Sequence, residues 1–504
     1  VVPVETEFGR KRAIDQSSCN KDFSCVDGFC PSFVTVHGGR LRKPEAALVA
    51  PDDLPEPVLP SGEHWNMLIA GIGGTGVVTA GALLGMAAHL EGRPVSVLDV
   101  TGLAQKGGAV ISHIRLGSGA GSAQSHRVPA GEADLLLGCD VLVTGGAEAL
   151  DTLGEGRSFA VLNLHETITG AFIRNPDMSL PVRQIRRVIE SRIGAGRVAA
   201  LDVTALAAAL LGDAIATNPF LLGHAWQLGK IPLSRASIEQ AIRLNGQAVE
   251  MNLAAFAWGR AAAHDPKRIE ARARARLPEP VPQTADLDAL ISRCRDDLVA
   301  YQDARYAGRF MELVAAVRAA EAAARPESHE LTEAVARNFH KLMAYKDEYE
   351  VARLYARPEF RRALEARFEG DYSLRFHLAP PWLGGHGGHS RKREFGIWML
   401  PAFRILARLR PLRGTRFDPF GHTEERRSER ALITRYESSI RTLLPRLARL
   451  NFEDVLALAR LPGRIRGFGH VKEASLRAAE PEWRRLEAAL AAEPLDEVPR
   501  LAAE

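Results

Sequence analysis

Two groups of residues in this 504-residue chain have the types and spacing that chemistry needs. The first is the loop Gly71-Ile72-Gly73-Gly74-Thr75-Gly76, which satisfies G-x-G-x-x-G between a predicted strand and a predicted helix. Glycines there permit positive φ and close backbone approach, and the unpaired N–H groups of a helix start favour a phosphate. Asp99 follows Gly76 by 23 positions and ends an apolar run, close to where a ribose-binding acid would sit. Taken alone this set says dinucleotide, although a tight strand-to-helix crossover with no ligand uses the same residues. A second glycine element, Thr101 to Ala109, carries Lys106, Gly107 and Gly108. In a parallel sheet it shares the carboxyl edge with the first loop, so Lys106 presents a cation to a phosphate or is a solvated surface lysine.

The second group is Cys19, Cys25 and Cys30. Three soft thiolates within a dozen residues suit zinc or an iron–sulfur cluster. The spacing lacks C-x-x-C, and Pro31 directly follows Cys30, as Pro does beside some iron–sulfur ligands. Either site takes four ligands, so the expectation is a fourth from outside the chain, upstream; three unligated thiols in a folded tail are the alternative. Cys139 and Cys294 lie in apolar or helical surroundings and are expected to be buried structural thiols.

The elements that must position these residues divide the chain into five parts. Residues 1–40 form a cysteine-bearing tail. Residues 41–62 read as a linker, because Pro44, Pro51, Pro55, Pro57 and Pro60 each remove a donor and extend their predecessor. Residues 63–260 alternate short apolar runs with helical segments, the pattern of an α/β domain with a largely parallel sheet. An Arg-rich connector, 261–282, closes on Pro278, Pro280 and Pro282, and 283–504 reads almost entirely as helix. The fold class is therefore α/β plus all-α. Asn66 to Leu90 holds no Asp, Glu, Lys or Arg and is long enough to span a bilayer. Its crowded glycines favour buried strand, loop and helix instead.

Composition bounds the rest. At 46% hydrophobic and 25% charged the chain has the balance of a folded protein. Lys+Arg 65 against Asp+Glu 61 leaves +4, too little overall to imply nucleic acid or a membrane surface. A local excess exists: residues 391–430 carry eleven Lys and Arg against five acids, with aromatic residues interleaved. That stretch reads as a helical face paired with acids from elsewhere in the chain, or as a phosphate or nucleic-acid surface. Five cysteines cannot form a disulfide framework in 504 residues, which points to a reducing, cytoplasmic compartment. The first ten residues show no signal-peptide pattern, and Val1 in place of Met raises the expectation of a chain that begins inside a larger one.

Together these residues resemble the C-terminal part of the long, fused bacterial indolepyruvate:ferredoxin oxidoreductases, members of the thiamine-dependent 2-oxoacid:acceptor oxidoreductase family. Thr6-Glu-Phe-Gly-Arg-Lys-Arg through Cys19-Asn-Lys-Asp-Phe-Ser-Cys25 to Cys30-Pro-Ser-Phe is similar to the end of that family's thiamine diphosphate domain. Ile69-Ala-Gly71-Ile-Gly-Gly-Thr-Gly76-Val-Val with Gln105-Lys-Gly-Gly108 is similar to its Rossmann-like gamma domain. The usual second motif there is Arg-Gly-Gly; Lys106 keeps the cation and loses the bidentate fork. Met343 to Arg353, Phe376 to Pro381, Lys392 to Gly396, Asp418 to Gly421 and Ile465 to Lys472 resemble the family's helical C-terminal extension.

The resemblance implies oxidative decarboxylation of an arylpyruvate such as indolepyruvate on thiamine diphosphate, with electrons leaving through iron–sulfur chemistry to ferredoxin. Coenzyme A takes the acyl group as an arylacetyl-CoA. Gly71, Gly73, Gly74, Thr75 and Gly76, with Lys106, Gly107 and Gly108, would then hold coenzyme A, and Cys19, Cys25 and Cys30 would be a partial cluster ligand set. No Gly-Asp-Gly followed by Asn at the needed spacing is found, so the thiamine and Mg centre is expected upstream of Val1 and the chain alone is expected to be inactive. The implied partners are ferredoxin, the upstream thiamine-binding half and a second copy in a homodimer, with no nucleic acid and no membrane. Two other readings stand beside this one: an NAD-dependent dehydrogenase, from G-x-G-x-x-G and Asp99, and a non-catalytic basic scaffold, from 391–430.

Overall fold

In a computed structural model of the chain, the described residues are 2–14, 16, 21–28, 30, 32–42, 46–47, 53–102, 108–117, 125–166, 180–194, 196–277, 286–379 and 392–492. They form two compact units. One is Lys43–Val281 with Val1–Glu5 and Arg10–Cys19; the other is Pro282–Glu504 with Thr6–Gly9 and Asn20–Arg42.

Strand β1 (Ser32–His37) belongs to the second unit. The first unit is built on a six-stranded sheet. Its strands are β2 (Trp65–Ile72), β3 (Val95–Thr101), β4 (Ala109–Leu116), β5 (Leu135–Gly138), β6 (Phe159–Asn163) and β7 (Val198–Leu201), in the order β7-β6-β5-β2-β4-β3. Helix α1 (Val77–Leu90) joins β2 to β3, and α2 (Val203–Leu211), α3 (Thr217–Gln227), α4 (Arg235–Asn245) and α5 (Val249–His264) come after β7. β2 is central, and Met67, Leu68, Ile69 and Ala70 are wholly buried, because a strand covered on both faces must be apolar at every position. Met67 and Ile69 pack with Leu84 of α1 and with Phe220 and Trp226 of α3; Leu68 and Ala70 join Leu136 and Leu162 on the opposite face.

The sheet is less parallel than the sequence pattern suggests. β2, β5, β6 and β7 run parallel, but β4 lies antiparallel between β2 and β3, with Gly71 opposite Val110 and Asp99 opposite Ser112. The reason is connection length: seven residues separate β3 from β4, whereas a parallel crossover takes about a dozen or more. The uncharged stretch Asn66 to Leu90 resolves into β2, the glycine loop and α1. Among the described residues no helix is long and apolar enough to cross a membrane.

The second unit is mainly helical. Phe310, Phe339 and Tyr436 stack through its core with Trp483 edge-on to Tyr436, and Asp303, Thr423 and Asn451 cap helix starts with their side chains. A small antiparallel sheet sits beside helices α6 (Glu348–Ala356) and α7 (Met399–Arg408), its order β9 (Arg393–Phe395), β8 (Ser373–Leu378), β1. Val34 lies opposite Phe376 and Val36 opposite Leu374, so residues from the cysteine-bearing segment complete the cluster around Phe376 and Phe403. Helix α8 (Glu424–Leu443) closes a network of buried charges. Arg413 binds Asp347 through two hydrogen bonds of 2.5 and 2.9 Å and lies 3.6 Å from the Tyr301 ring. Arg426 binds Glu429 and Glu348, and Arg430 donates to the Gly421 carbonyl. Much of the basic stretch 391–430 is thus answered by acids and carbonyls of its own unit.

Candidate functional site

β2 delivers the chain to the glycine loop at the carboxyl edge of the sheet. A Cβ at Gly71 would lie 2.7 Å from Val77 Cγ2 and 3.0 Å from Cys139 Cβ, so the strand can turn there because no side chain intrudes. Gly74 and Gly76 adopt φ of +87° and +93°, the left-handed region that a Cβ disfavours. Thr75 Oγ1 donates to the Ile72 carbonyl at 2.6 Å, and the Gly73 N–H donates to the Gly108 carbonyl at 2.7 Å. The structure thereby brings Gly71, Gly73, Gly74, Thr75, Gly76 and Gly108 together, while Lys106 and Gly107 lie outside the described residues. Gly76 is the residue before α1, caps it with no side-chain hydrogen bond, and the first turn holds no acid. The first amides of α1 and its positive dipole end therefore face the loop, the usual physics of an anion site.

A cavity of about 560 Å³ opens over this helix start, within the size range of small-molecule sites. Its floor is the loop and the first turn of α1; its wall comes from α3 and from the junction of α4 and α5. The buried Asn218 of α3 donates from Nδ2 to the Thr75 carbonyl at 2.9 Å, which holds the loop in place. Asn245, Gln247 and Asn252 add amides, and Asn252 Nδ2 ties the turn by donating to the Gln247 carbonyl at 2.8 Å. Ala248 in that turn has φ +45°, a costly conformation for a residue with a Cβ. Val78 and Ile215, both exposed, supply apolar surface at the same cavity. The site thus pairs an anion-binding helix start with neutral amides and an apolar wall. Asn218, Asn245, Gln247 and Asn252 were not among the residues expected from sequence; the signals were the Asn218-Pro219 pair and the amides around Gly246.

Asp99 does not join the loop. β4 separates β3 from β2, so Asp99 stands two strands away, roughly 9–10 Å by ladder spacing. Its Oδ1 lies 3.7 Å from where a Cβ of Gly81 would be, beside the second turn of α1. The adjacent first and second strands of a dinucleotide fold are absent from this sheet. Cys139 is buried, and burial together with neighbouring Asp140 pushes its thiol up to about 12; burial does the same for Cys294. Neither is a nucleophile at neutral pH.

In the second unit, Cys25 lies in the turn Ser24–Asp27 and Cys30 comes shortly after it, both half-buried. The Lys392 ammonium donates to the Val26 and Gly28 carbonyls between them and lies 4.8 Å from the Phe33 ring centre. Burial lowers the Lys392 pKa, opposed by Cys30, Asp27 and Cys25. Cys19 lies outside the described residues, and among the described residues no three His, Cys, Asp or Glu side chains converge as a metal site. Cys25 and Cys30 are soft donors of the kind an iron–sulfur cluster takes, and they are a partial set.

Comparison with known proteins decides the family. Residues 66–262 match the family described as pyruvate ferredoxin/flavodoxin oxidoreductase. The indolepyruvate oxidoreductase subunit IorB of Pyrococcus horikoshii is 32% identical over 207 residues, which cover 40% of this chain and 98% of that subunit. The chain belongs to the pyruvate ferredoxin/flavodoxin oxidoreductase family. The IorB subunit of Methanothermobacter thermautotrophicus is likewise 31% identical over 202 residues, 40% of this chain and 98% of that one. The family region coincides with the α/β unit that holds the glycine loop and its cavity, and gives the chain a 2-oxoacid:ferredoxin oxidoreductase subunit. Residues 287–485 match a family of unknown function, DUF6537. Among solved structures, a keto/oxoacid ferredoxin oxidoreductase gamma subunit from Geobacter sulfurreducens is 20% identical, with TM-score 0.29, over 40% of this chain and 98% of that chain. A 2-oxoglutarate:ferredoxin oxidoreductase from Magnetococcus marinus is 14% identical, with TM-score 0.31, over 48% and 46%.

Proposed function

We propose that this chain is the gamma domain, residues 63–260, and the helical extension, residues 283–504, of an enzyme that oxidatively decarboxylates arylpyruvates, indolepyruvate first among them, to arylacetyl-CoA with electrons passed to ferredoxin. The observation that carries the reading is the uncapped start of α1 under its cavity, in a region that aligns with nearly the whole of an indolepyruvate oxidoreductase subunit. Coenzyme A fits that site: its pyrophosphate is the anion for the first-turn amides, and its uncharged arm matches the amides and apolar wall. Gly71 to Gly76 and Gly108 admit the phosphate, and Lys106 and Gly107 complete the second motif.

Thiamine diphosphate, when bound, supplies the carbanion sink for loss of carbon dioxide. Its motif is not found in residues 1–504, so we assign its site, with Mg, to a further part of the enzyme, and this chain by itself does not decarboxylate. Cys19, Cys25 and Cys30 contribute thiolates to a cluster whose remaining ligand lies in that part. Co-production with the thiamine-binding part, followed by assay of methyl viologen reduction, tests the reading. Reduction is expected to require both indolepyruvate and coenzyme A; a cofactor-loaded enzyme that reduces the dye without coenzyme A, or not at all, would end it.

A further inference from the structure

Five large apolar side chains that stand exposed fall within residues 397–417: Ile397, Trp398, Ile405, Leu409 and Phe417, with Trp398 63% and Phe417 67% accessible. Trp398, Pro401, Ile405 and Leu409 follow one another at helical spacings of three and four and so share one side of the segment; a contiguous apolar side of this kind marks an interaction surface, whereas singly scattered exposed residues do not. Helix α7 is the middle of this face. Phe403 points into the cluster with Phe376, and Met399, Leu400 and Leu406 pack against it. The outward stripe is Pro401, Arg404, Ile405 and Arg408. Residues 397–417 contain no Asp or Glu, and Arg404 and Arg408 repeat the same charge at i and i+4, which destabilises a helix standing alone. Among the described residues neither makes a salt bridge. Arg410 and Arg413 are spent inside the unit, on the Gln302 carbonyl and on Asp347, while Arg416, a few residues further along the chain, lies over the exposed Phe417 ring. The face therefore has an apolar centre and a cationic border with no internal answer.

Its place in the fold is equally specific. Trp398 meets Phe395 of β9 with ring centres 6.0 Å apart, β9 pairs with β8, and β8 pairs with β1, which comes directly after the Cys30 segment. Lys392, directly before β9, grips the backbone between Cys25 and Cys30. One short sheet thus connects the cysteine loop to the exposed face.

We propose that this face docks a small acidic electron-carrier protein of the ferredoxin type. Trp398, Ile397 and Ile405 make the apolar contact, and Arg404, Arg408 and Arg416 steer the acidic surface to the side of the Cys25–Cys30 loop. The proposal rests on the proposed function, that electrons leave this enzyme to ferredoxin. Transient redox encounters bury little area and depend on charge steering, which suits a modest apolar centre with a charged rim.

The test uses the full enzyme, thiamine-binding part included, carrying Arg404→Glu with Arg408→Glu, or Trp398→Ala. Reduction of an acidic bacterial ferredoxin is compared with reduction of methyl viologen, and ferredoxin binding is measured directly at low and moderate salt. The charge reversal is expected to lower kcat/KM for ferredoxin about tenfold or more, through KM, and to flatten its salt dependence. Trp398→Ala is expected to weaken ferredoxin binding, and viologen reduction is expected to stay within about twofold in both variants. Unchanged ferredoxin KM and binding would overturn the proposal. So would loss of viologen reduction or of the assembled enzyme on size exclusion, which would assign the face to the thiamine-binding part or to a second copy. Should the unaltered enzyme fail to reduce viologen, the reading of function falls, while the binding measurement still decides the docking face.

Discussion

Asn218 supplies what the glycines of the loop lack, a side chain that holds it. It is buried on α3, donates to the Thr75 carbonyl, and its Nδ2 lies 3.3 Å from where a Cβ of Gly76 would be. Removing it deletes that hydrogen bond, worth about 0.5–1.5 kcal/mol. Asn218→Ala is therefore expected to weaken coenzyme A binding roughly tenfold, read as a rise in KM for coenzyme A with the KM for the 2-oxoacid unmoved. Equal changes in both would instead mean a general loss of fold. At this scale the sequence was legible where few physical uses exist for a pattern, as with glycines at positive φ before a helix. It was illegible where a role depends on what folding brings near. Asn218 reaches Thr75 across 143 positions, and the Asn218-Pro219 pair marks the residue without naming that partner. Asp99 shows the converse error: its spacing along the chain suits a ribose, and an intervening strand removes it from the site. Arg413 belongs with these, counted in a basic stretch yet buried, its guanidinium held above its ordinary pKa by the Asp347 hydrogen bond despite burial.

Helices α3 and α5 set the wall of the cavity, and their contact is unusually close. A Cβ at Gly223 would clash with the Phe256 carbonyl, and one at Gly259 with the Phe220 carbonyl, so each helix presents a glycine to the other's backbone. His224 is buried at this crossing. Burial holds its imidazole down to about 4, from an ordinary 6.5, against an opposing hydrogen bond with the Gly259 backbone. The folded pKa lies below the unfolded one, so the unfolded chain takes the proton first as pH falls. Stability is then complete above pH 6.5, declines through the window down to about 4, and levels below it. The whole gap is worth about 3 kcal/mol. Thermal unfolding of the α/β unit is expected to shift downward across that window, and His224→Gln is expected to flatten the slope; an identical slope in the variant would refute the assignment. The helices themselves were readable from apolar spacing. The antiparallel β4 was not, because an apolar run carries no sign of direction; the short β3–β4 connection was the available cue.

On the scale of the whole molecule, the chain pairs its beginning with its far end. β1 aligns with β8 from Ser32 opposite Leu378 to His37 opposite Ser373, and Val34 and Val36 pack against the cluster around Phe376. A chain lacking residues 1–42 should therefore leave β8 with an open edge and lose two packed valines. The expected result is a melting transition of the helical unit lowered by roughly 5–10 °C and rapid hydrogen exchange at residues 373–378. An unmoved transition with protected amides there would contradict it. The sequence by itself determined the glycine loop, the alternation of strand and helix that builds the α/β unit, and the helical character of residues 283–504, because these depend on local conformation and on periodic burial. Tertiary structure alone decided that β4 divides Asp99 from the loop, that Asn218 and the α4–α5 amides close the cavity, and that the cysteine segment shares a sheet with residues more than three hundred positions away. Those outcomes depend on which surfaces meet, and long-range pairing leaves no periodic trace in either partner.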